Sequence, residues 1–198
     1  MKMDGQEYYL RSPEEMYQSF SGMEEAVLRT QEIADTVDID LNLGERHFPT
    51  FDLPPDTSSI DHLRELCLSG LRDRYANNEE MLPAGELSSR VMERLDRELS
   101  VIAELGFPDY FLICWDFVRE ARDKGIPTTA RGSGVGALVC YALYLSHVCP
   151  LEYDLLFERF LDVNRREAPD IDIDFCKEHR ADIIRYVKDK YGAANVAQ

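Results

Sequence analysis

The sequence predicts a helix-rich α+β fold. Apolar residues recur at helical spacing along most of the chain, as in Val91, Leu95, Leu99 and Ile102. One run, "PDIDIDF" at 169–175, instead alternates with the period of two that a strand requires. Hydrophobic residues make up 44% of the 198 residues and aromatic ones 10%, enough for a core and too much for a disordered chain.

The elements follow in order. In "RSPEEM" Ser12 reads as an N-cap, Pro13 as the first helical residue and Glu15 as the partner that completes a capping box. Ala26, Val27, Thr30, Ile33, Ala34 and Val37 extend the helical spacing. "DIDLNLG" at 38–44 alternates Ile39, Leu41 and Leu43, which predicts a short strand. "HFPTFDLPPDTSS" at 47–59 is a Pro-rich connector, so the chain divides into 1–58 and 59–198.

Beyond the connector, Ile60, Leu63, Cys67 and Leu71 mark a helix, and "YANNEEMLPAGE" marks a polar loop. The helix through Val91 and Ile102 stops at Gly106. Phe107, Tyr110, Phe111, Cys114, Phe117, Val118 and Ala121 form a strongly amphipathic helix that stops at "DKG". Further helices are expected from Ser133, over "PLEYDLLFERFL" and over "KEHRADIIRYVKDKYG". The closing "YGAANVAQ" reads as the start of another strand, as though the chain were cut from something longer.

Composition narrows the function classes. The N-terminus has no apolar leader, and "ALVCYALYL" is too short to span a bilayer, so a soluble cytoplasmic protein without a membrane partner is expected. The five cysteines form no CxxC pair and no zinc spacing with the four histidines, and most lie among apolar residues as reduced core thiols. Net charge is −16, and it is uneven. Residues 1–105 carry 10 Lys and Arg against 23 Asp and Glu, whereas 106–198 carry 12 against 15. Such a balance discourages unaided binding to a phosphate backbone, so metal ions or other segments must supply positive charge to any nucleic-acid chemistry.

Three features carry chemistry. In "PDIDIDF" the strand period sends Ile171, Ile173 and Phe175 to a core and lines up Asp170, Asp172 and Asp174 on the other face. Neighbouring aspartates lie roughly 6.5 Å apart along a strand, and at an effective dielectric near 20 each pair repels by about 2–3 kcal/mol before screening. A cation such as Mg²⁺ removes that cost, because carboxylate oxygens are hard ligands that leave room for water and phosphate. An exposed strand face of solvated aspartates, or an edge strand protected by charge, accounts for the triplet equally well. In "TARGSGVGALVCYAL", Gly132, Gly134 and Gly136 precede an apolar run, with Ser133 placed as an N-cap. Backbone N–H groups at such a helix start favour phosphate, and Arg131 adds a forked donor. Glycines that allow close helix packing would look the same. Finally, Arg159 in "LLFERFL" sits within an apolar pattern, where Glu158, Asp154, Asp162 or a phosphate could pair with it. A metal-ligand strand, a phosphate-type helix start and two arginines within one stretch describe nucleotidyl transfer.

The runs "GFPDYFLICWDFVREARDKGIP", "ARGSGVGALVCYAL", "PLEYDLLFERFL" and "PDIDIDFCKEHRADIIRYVKDKYG", in that order, resemble the family C replicative DNA polymerases, the bacterial DNA polymerase III alpha subunits. The likeness runs from "YYLRSPEEM" to the end of the chain. It implies an incomplete palm of the DNA polymerase beta-like nucleotidyltransferase type over 59–198, preceded over 1–58 by a helical connector from a PHP domain outside the chain. It further implies that Gly132 and Ser133 hold an incoming triphosphate, with Arg131 and Arg159 near its phosphates. Asp170 and Asp172 would be ligands of a two-metal Mg²⁺ site, and Asp174 shares their face. The implied reaction is attack of a primer 3′-hydroxyl on the α-phosphate of a dNTP, with release of pyrophosphate, in bacterial chromosome replication.

Primer-template DNA and dNTP are the implied substrates, and a sliding clamp and other replisome subunits would bind regions beyond residue 198. A third catalytic aspartate, with a basic residue beside it, would also lie there, so the isolated chain is expected to be inactive or nearly so. The chain departs from the family's usual Gly-Pro-Gly-Arg-Gly-Ser by a shorter approach to Arg131 and by Ala137 after the last glycine. Two other readings stay open. One is a truncated or split product acting as a non-catalytic binding or assembly module. The other is a small stand-alone nucleotidyltransferase, which would need a third carboxylate on a strand after Asp174.

Overall fold

The computed structural model of the chain describes residues 8–41, 49–164 and 168–197. Two compact units divide it, Met1–Arg46 and His47–Gln198. In the first unit, α1 (Pro13–Ser19) starts with the expected capping box: Glu15 N–H donates to Ser12 Oγ, and Ser12 N–H donates to the Glu15 carboxylate at 2.8 Å. The second helix, α2 (Glu24–Asp35), contains no buried residue. The strand expected at 38–44 does not form over 38–41, which are irregular, and 42–44 lie outside the described residues.

The second unit is mostly helical. In α3 (Ser59–Arg74), Leu63, Cys67, Gly70 and Leu71 share the buried face, and Ser58 caps the start. In α4 (Ser89–Leu105), Val91, Leu95, Glu98, Leu99 and Ile102 are buried, and the helix ends at Gly106 in the left-handed region, φ 77°. Pro108 opens α5 (Pro108–Asp123), which buries Phe111, Leu112, Ile113, Cys114, Asp116, Val118 and Ala121. These helices pack with α6 (Leu138–Ala142) around one core that includes Leu95, Phe111, Leu138 and Phe157. Packing against α6 is closest at Gly70, where a Cβ would meet the Ala142 carbonyl oxygen at 2.0 Å. Cys67, Cys114, Cys140 and Cys149 are buried and all five thiols are free. Burial pushes the Cys114 thiol up to about 12, consistent with an inert core residue.

The strands number two among the described residues, β1 (Thr128–Arg131) and β2 (Asp172–Phe175), which pair antiparallel with Arg131 opposite Asp172, Ala130 opposite Ile173 and Thr129 opposite Asp174. The fold is thus α+β and rich in helix, with a small sheet. Strand β1 escapes the sequence pattern because it is four residues long and offers only Ala130 as a buried apolar position.

Three expected elements differ from those observed. Instead of a helix from Ser133, a 3₁₀ turn covers Gly132–Gly136, Ala137 is extended (φ −94°, ψ 127°), and α6 starts only at Leu138. Ser133 is therefore no N-cap. Instead of a helix over 150–161, the chain turns, with Asp154 at φ 48° and only Phe157–Arg159 in a 3₁₀ turn. The expected closing strand is replaced by a 3₁₀ turn at Ala193–Asn195.

The last helix, α7 (Arg180–Tyr191), backs the sheet through Ile183 and Val187, which pack with Ala121, Ile126 and Phe175. Its position is set by Asp116, fully buried on α5. The Asp116 carboxylate accepts from Tyr186 and Tyr191 hydroxyls at 2.9 Å each, from Lys190 Nζ at 2.7 Å and from Arg119 at 2.7 Å. A carboxylate with four donors satisfies the rule for buried charge. No helix among the described residues is long and apolar enough to cross a membrane.

Candidate functional site

The antiparallel register places Arg131 and Thr129 on the same sheet face as Asp172 and Asp174. Burial alternates along the run as the period required: Asp170, Asp172 and Asp174 are exposed, Ile171 is buried, and Ile173 and Phe175 are half-buried. The Ile171 N–H donates to the Tyr110 hydroxyl at 3.1 Å, which ties the entry of β2 to α5. Arg131 spans two carboxylates, with a terminal nitrogen 3.3 Å from Asp172 Oδ2 and Nε 3.3 Å from Asp174 Oδ2. The three side chains are 62%, 47% and 62% exposed, so each contact is worth about 0–1 kcal/mol. Its main effect is to offset the mutual repulsion of the aspartates.

The chain turns sharply after Arg131. Gly132 adopts φ 74°, a left-handed conformation that costs other residues roughly 1–2 kcal/mol. Its missing Cβ would lie 3.8 Å from Asp172 Oδ2, so the turn passes directly over that carboxylate. Gly136 serves a different purpose. A Cβ there would come within 2.8 Å of the Leu156 carbonyl oxygen, so the turn and the 155–159 segment touch backbone to backbone.

Between these two segments lies a cleft of about 540 Å³, lined by Gly132, Ser133, Val135, Leu156 and Arg159 among others. A narrower recess of about 180 Å³ adjoins it and brings Ser133, Arg159 and Asp170 together. Arg159 is exposed and forms no ion pair among the described residues. Of its expected partners, Glu158 pairs with Arg97 at 3.4 Å and Asp154 with Arg90 at 3.7 Å, while Asp162 accepts the Asn164 N–H. The structure thus gathers Arg131, Gly132, Ser133, Arg159 and all three aspartates around the turn that follows β1.

Two residues that sequence reasoning passed over hold this arrangement. Glu98 is fully buried, and its two oxygens accept the Leu138 and Val139 N–H groups at 2.9 Å each. Arg94 donates through Nε to Glu98 at 2.5 Å and through Nη2 to the Gly136 carbonyl at 2.8 Å and the Leu155 carbonyl at 3.0 Å. Burial pushes the Glu98 carboxyl up, while the two backbone donors and Arg94 pull it down. The first N–H groups of α6, expected to face a phosphate, are consumed by Glu98. An anion would meet the turn itself and its arginines. A signal for the pair is present in the sequence: Glu98 falls on the apolar stripe of α4, with Arg94 one turn before it.

The donor chemistry suits a hard divalent cation, since carboxylate oxygens on an exposed strand face are what Mg²⁺ binds when it keeps water and phosphate ligands. Among the described residues, however, no group of three or more His, Cys, Asp and Glu is placed to hold a metal ion. The aspartates are thus part of a possible ligand set rather than a dedicated cage.

Comparison with known proteins gives a consistent set of relatives. The family model of the bacterial DNA polymerase III alpha NTPase domain matches residues 61–198. The chain is 46% identical over 185 residues to the DNA polymerase III subunit alpha of Halalkalibacterium halodurans, covering 93% of this chain and 16% of that protein. Identity to the Bacillus subtilis subunit is 44% over 190 residues, with 96% and 16% covered. The Escherichia coli subunit is 44% identical over 195 residues, with the same coverage of 96% and 16%. The chain therefore spans 16% of the length of each of these curated relatives.

Proposed function

The chain belongs to the bacterial DNA polymerase III alpha family, and from that membership we propose that it forms the triphosphate- and metal-handling part of a cytoplasmic DNA-directed DNA polymerase. Residues 59–198 are read as the first part of a palm of the nucleotidyltransferase type, and 1–58 as the connector that leads into it. The substrates are a dNTP and a primer-template DNA in chromosome replication. Clamp and replisome contacts fall to other parts of the polymerase.

The observation that carries this reading is the cleft beside the turn that follows β1, with the recess that adjoins it at Asp170. Gly132 and Ser133 form one wall and Arg159 the other, Asp170 lines the adjoining recess, and Arg131, one residue before Gly132, contacts Asp172 and Asp174. Arg131 and Arg159 neutralise and orient the phosphates, and the Gly132 turn lets backbone approach them without a side chain in the way. Asp170 and Asp172 are the favoured Mg²⁺ ligands, and Asp174 shares their face. Bound Mg²⁺ would neutralise the triphosphate and activate the primer 3′-hydroxyl. The 198 residues by themselves are expected to be inactive, or nearly so, in primer extension.

Binding of a fluorescent dNTP to the 198-residue chain, titrated with Mg²⁺ or Mn²⁺, tests this reading. Metal-dependent binding that disappears in Asp170→Ala/Asp172→Ala is expected. Indistinguishable curves for the two proteins would remove the site from this chain, and primer extension by the unaltered chain would refute its inactivity.

A further inference from the structure

The Arg94–Glu98 pair does something that stability alone does not explain. Glu98 occupies a fully buried position on a stripe otherwise made of Val91, Leu95, Leu99 and Ile102, and the Arg94 side chain is only 12% exposed. A buried ion pair is no more stabilising than well-packed apolar residues of the same volume, and is often less so. Its value therefore lies in where its hydrogen bonds go. One nitrogen of Arg94 reaches the Gly136 carbonyl, at the end of one cleft wall, and the Leu155 carbonyl, at the start of the other. Glu98 meanwhile anchors the α6 backbone that continues from the first wall. No side chain separates the walls, because Gly136 lies against the Leu156 carbonyl.

We infer that Arg94 and Glu98 are positioning residues that fix the spacing of the two cleft walls, and with it the fit of a polyphosphate between Ser133 and Arg159. This rests on the triphosphate reading given above. The guanidinium is required because its planar fork serves a carboxylate and two carbonyls at once, which a lysine ammonium on a flexible stem cannot do in the same geometry. The spacing is matched to the length of the ligand. Loosening it therefore weakens a triphosphate, which contacts both walls, more than a monophosphate, which contacts one.

The test uses the 198-residue chain, with Arg94→Lys and the apolar double variant Arg94→Met/Glu98→Leu. Binding of dATP and dAMP with Mg²⁺ is measured beside amide hydrogen exchange. The expected result is a loss of dATP affinity of at least about tenfold, as small misplacements of binding groups produce, with little change for dAMP. Faster exchange on 133–139 and 155–160 together accompanies it in both variants. Should the double variant fail to fold, Arg94→Lys, which keeps the buried charge, decides the matter alone. Unchanged dATP affinity, an equal loss for dAMP, or exchange that rises on one wall only would overturn the inference while leaving the triphosphate site standing. An unaltered chain that binds no dATP would overturn both.

Discussion

Arg131 faces Asp172 across the β1–β2 ladder at 3.3 Å and reaches Asp174 at the same distance, so one cation serves two carboxylates on an exposed strand face. The guanidinium thus sits where a divalent cation would compete with it. Replacing Arg131 with Gln is expected to tighten Mn²⁺ binding in the absence of nucleotide by about fivefold, the equivalent of ~1 kcal/mol for an exposed pair. The same variant should bind dNTP more weakly. Calorimetric titrations with metal alone and with metal plus dNTP separate the two effects, and a variant that weakens both would refute the competition.

The glycines differ in what they protect. Gly70→Ala forces a methyl group onto the Ala142 carbonyl in the middle of the core and should cost about 3 kcal/mol or more. Gly132→Ala has room, since the nearest atom is 3.8 Å away, but must hold a left-handed backbone. It should cost about 1–2 kcal/mol while impairing dNTP binding. Urea unfolding of the two variants gives the order, and a Gly132→Ala chain less stable than Gly70→Ala would contradict it.

Asp116 holds α7 against α5 through four donors. Asp116→Ala leaves the Tyr186 and Tyr191 hydroxyls and Lys190 without their shared acceptor, and is expected to lower stability by about 3–5 kcal/mol. Thermal unfolding followed by circular dichroism checks this. A loss below about 1 kcal/mol would mean that water replaces the carboxylate at no cost.

The same cluster makes the fold sensitive to alkali. Burial opposes the Lys190 charge, but hydrogen bonds to Asp116 and Tyr186 outweigh it and raise its pKa above the ordinary 10.5. Burial, then the bond to Asp116, pushes the Tyr191 hydroxyl up from 10.0. Folding thus holds the lysine proton more tightly than the unfolded chain does, and that stabilisation is complete below 10.5 and fades as pH rises through the folded value. For Tyr191 the unfolded chain ionises first, so stability again falls with rising pH above 10.0. Buried Cys67, Cys114 and Cys140, whose thiols burial raises above the ordinary 9.0, add to the same trend. The urea midpoint should therefore begin to fall at about pH 9 and fall more steeply above about pH 10, with the steeper part reduced in Asp116→Asn. A midpoint that holds to pH 11 would refute this.

Helices α4 and α5 were legible because long amphipathic stripes and a Gly or Pro at their ends repeat the same message. The row of aspartates was legible because strand alternation survives in a single chain. Its partner was not, since the register that puts Arg131 opposite Asp172 is set by tertiary packing rather than by "TTAR" itself. The 150–161 segment carries a helical apolar pattern, yet it turns so that the Leu155 carbonyl meets Arg94 and Phe157 enters the core. Local propensity lost there to one buried donor. The mistaken N-cap at Ser133 has a similar origin, because the α6 N–H groups are claimed by Glu98, a residue far back in the chain.

The ladder between Arg131 and Asp172 also bears on the order in which the molecule assembles. Helices α3, α4 and α5 follow one another closely, and α3 packs against both of the others. Pairing β1 with β2 instead closes a loop of roughly 40 residues, at an entropic cost of about 3 kcal/mol that only a short ladder repays directly. The strand pair is therefore expected to form after the helices and to open before them, which amide hydrogen exchange on 128–131 and 172–175 would show. Opening four residue pairs separates Arg131 from Asp172 and Asp174, while Arg94 and Glu98 keep the turn after β1 tied to the helical core.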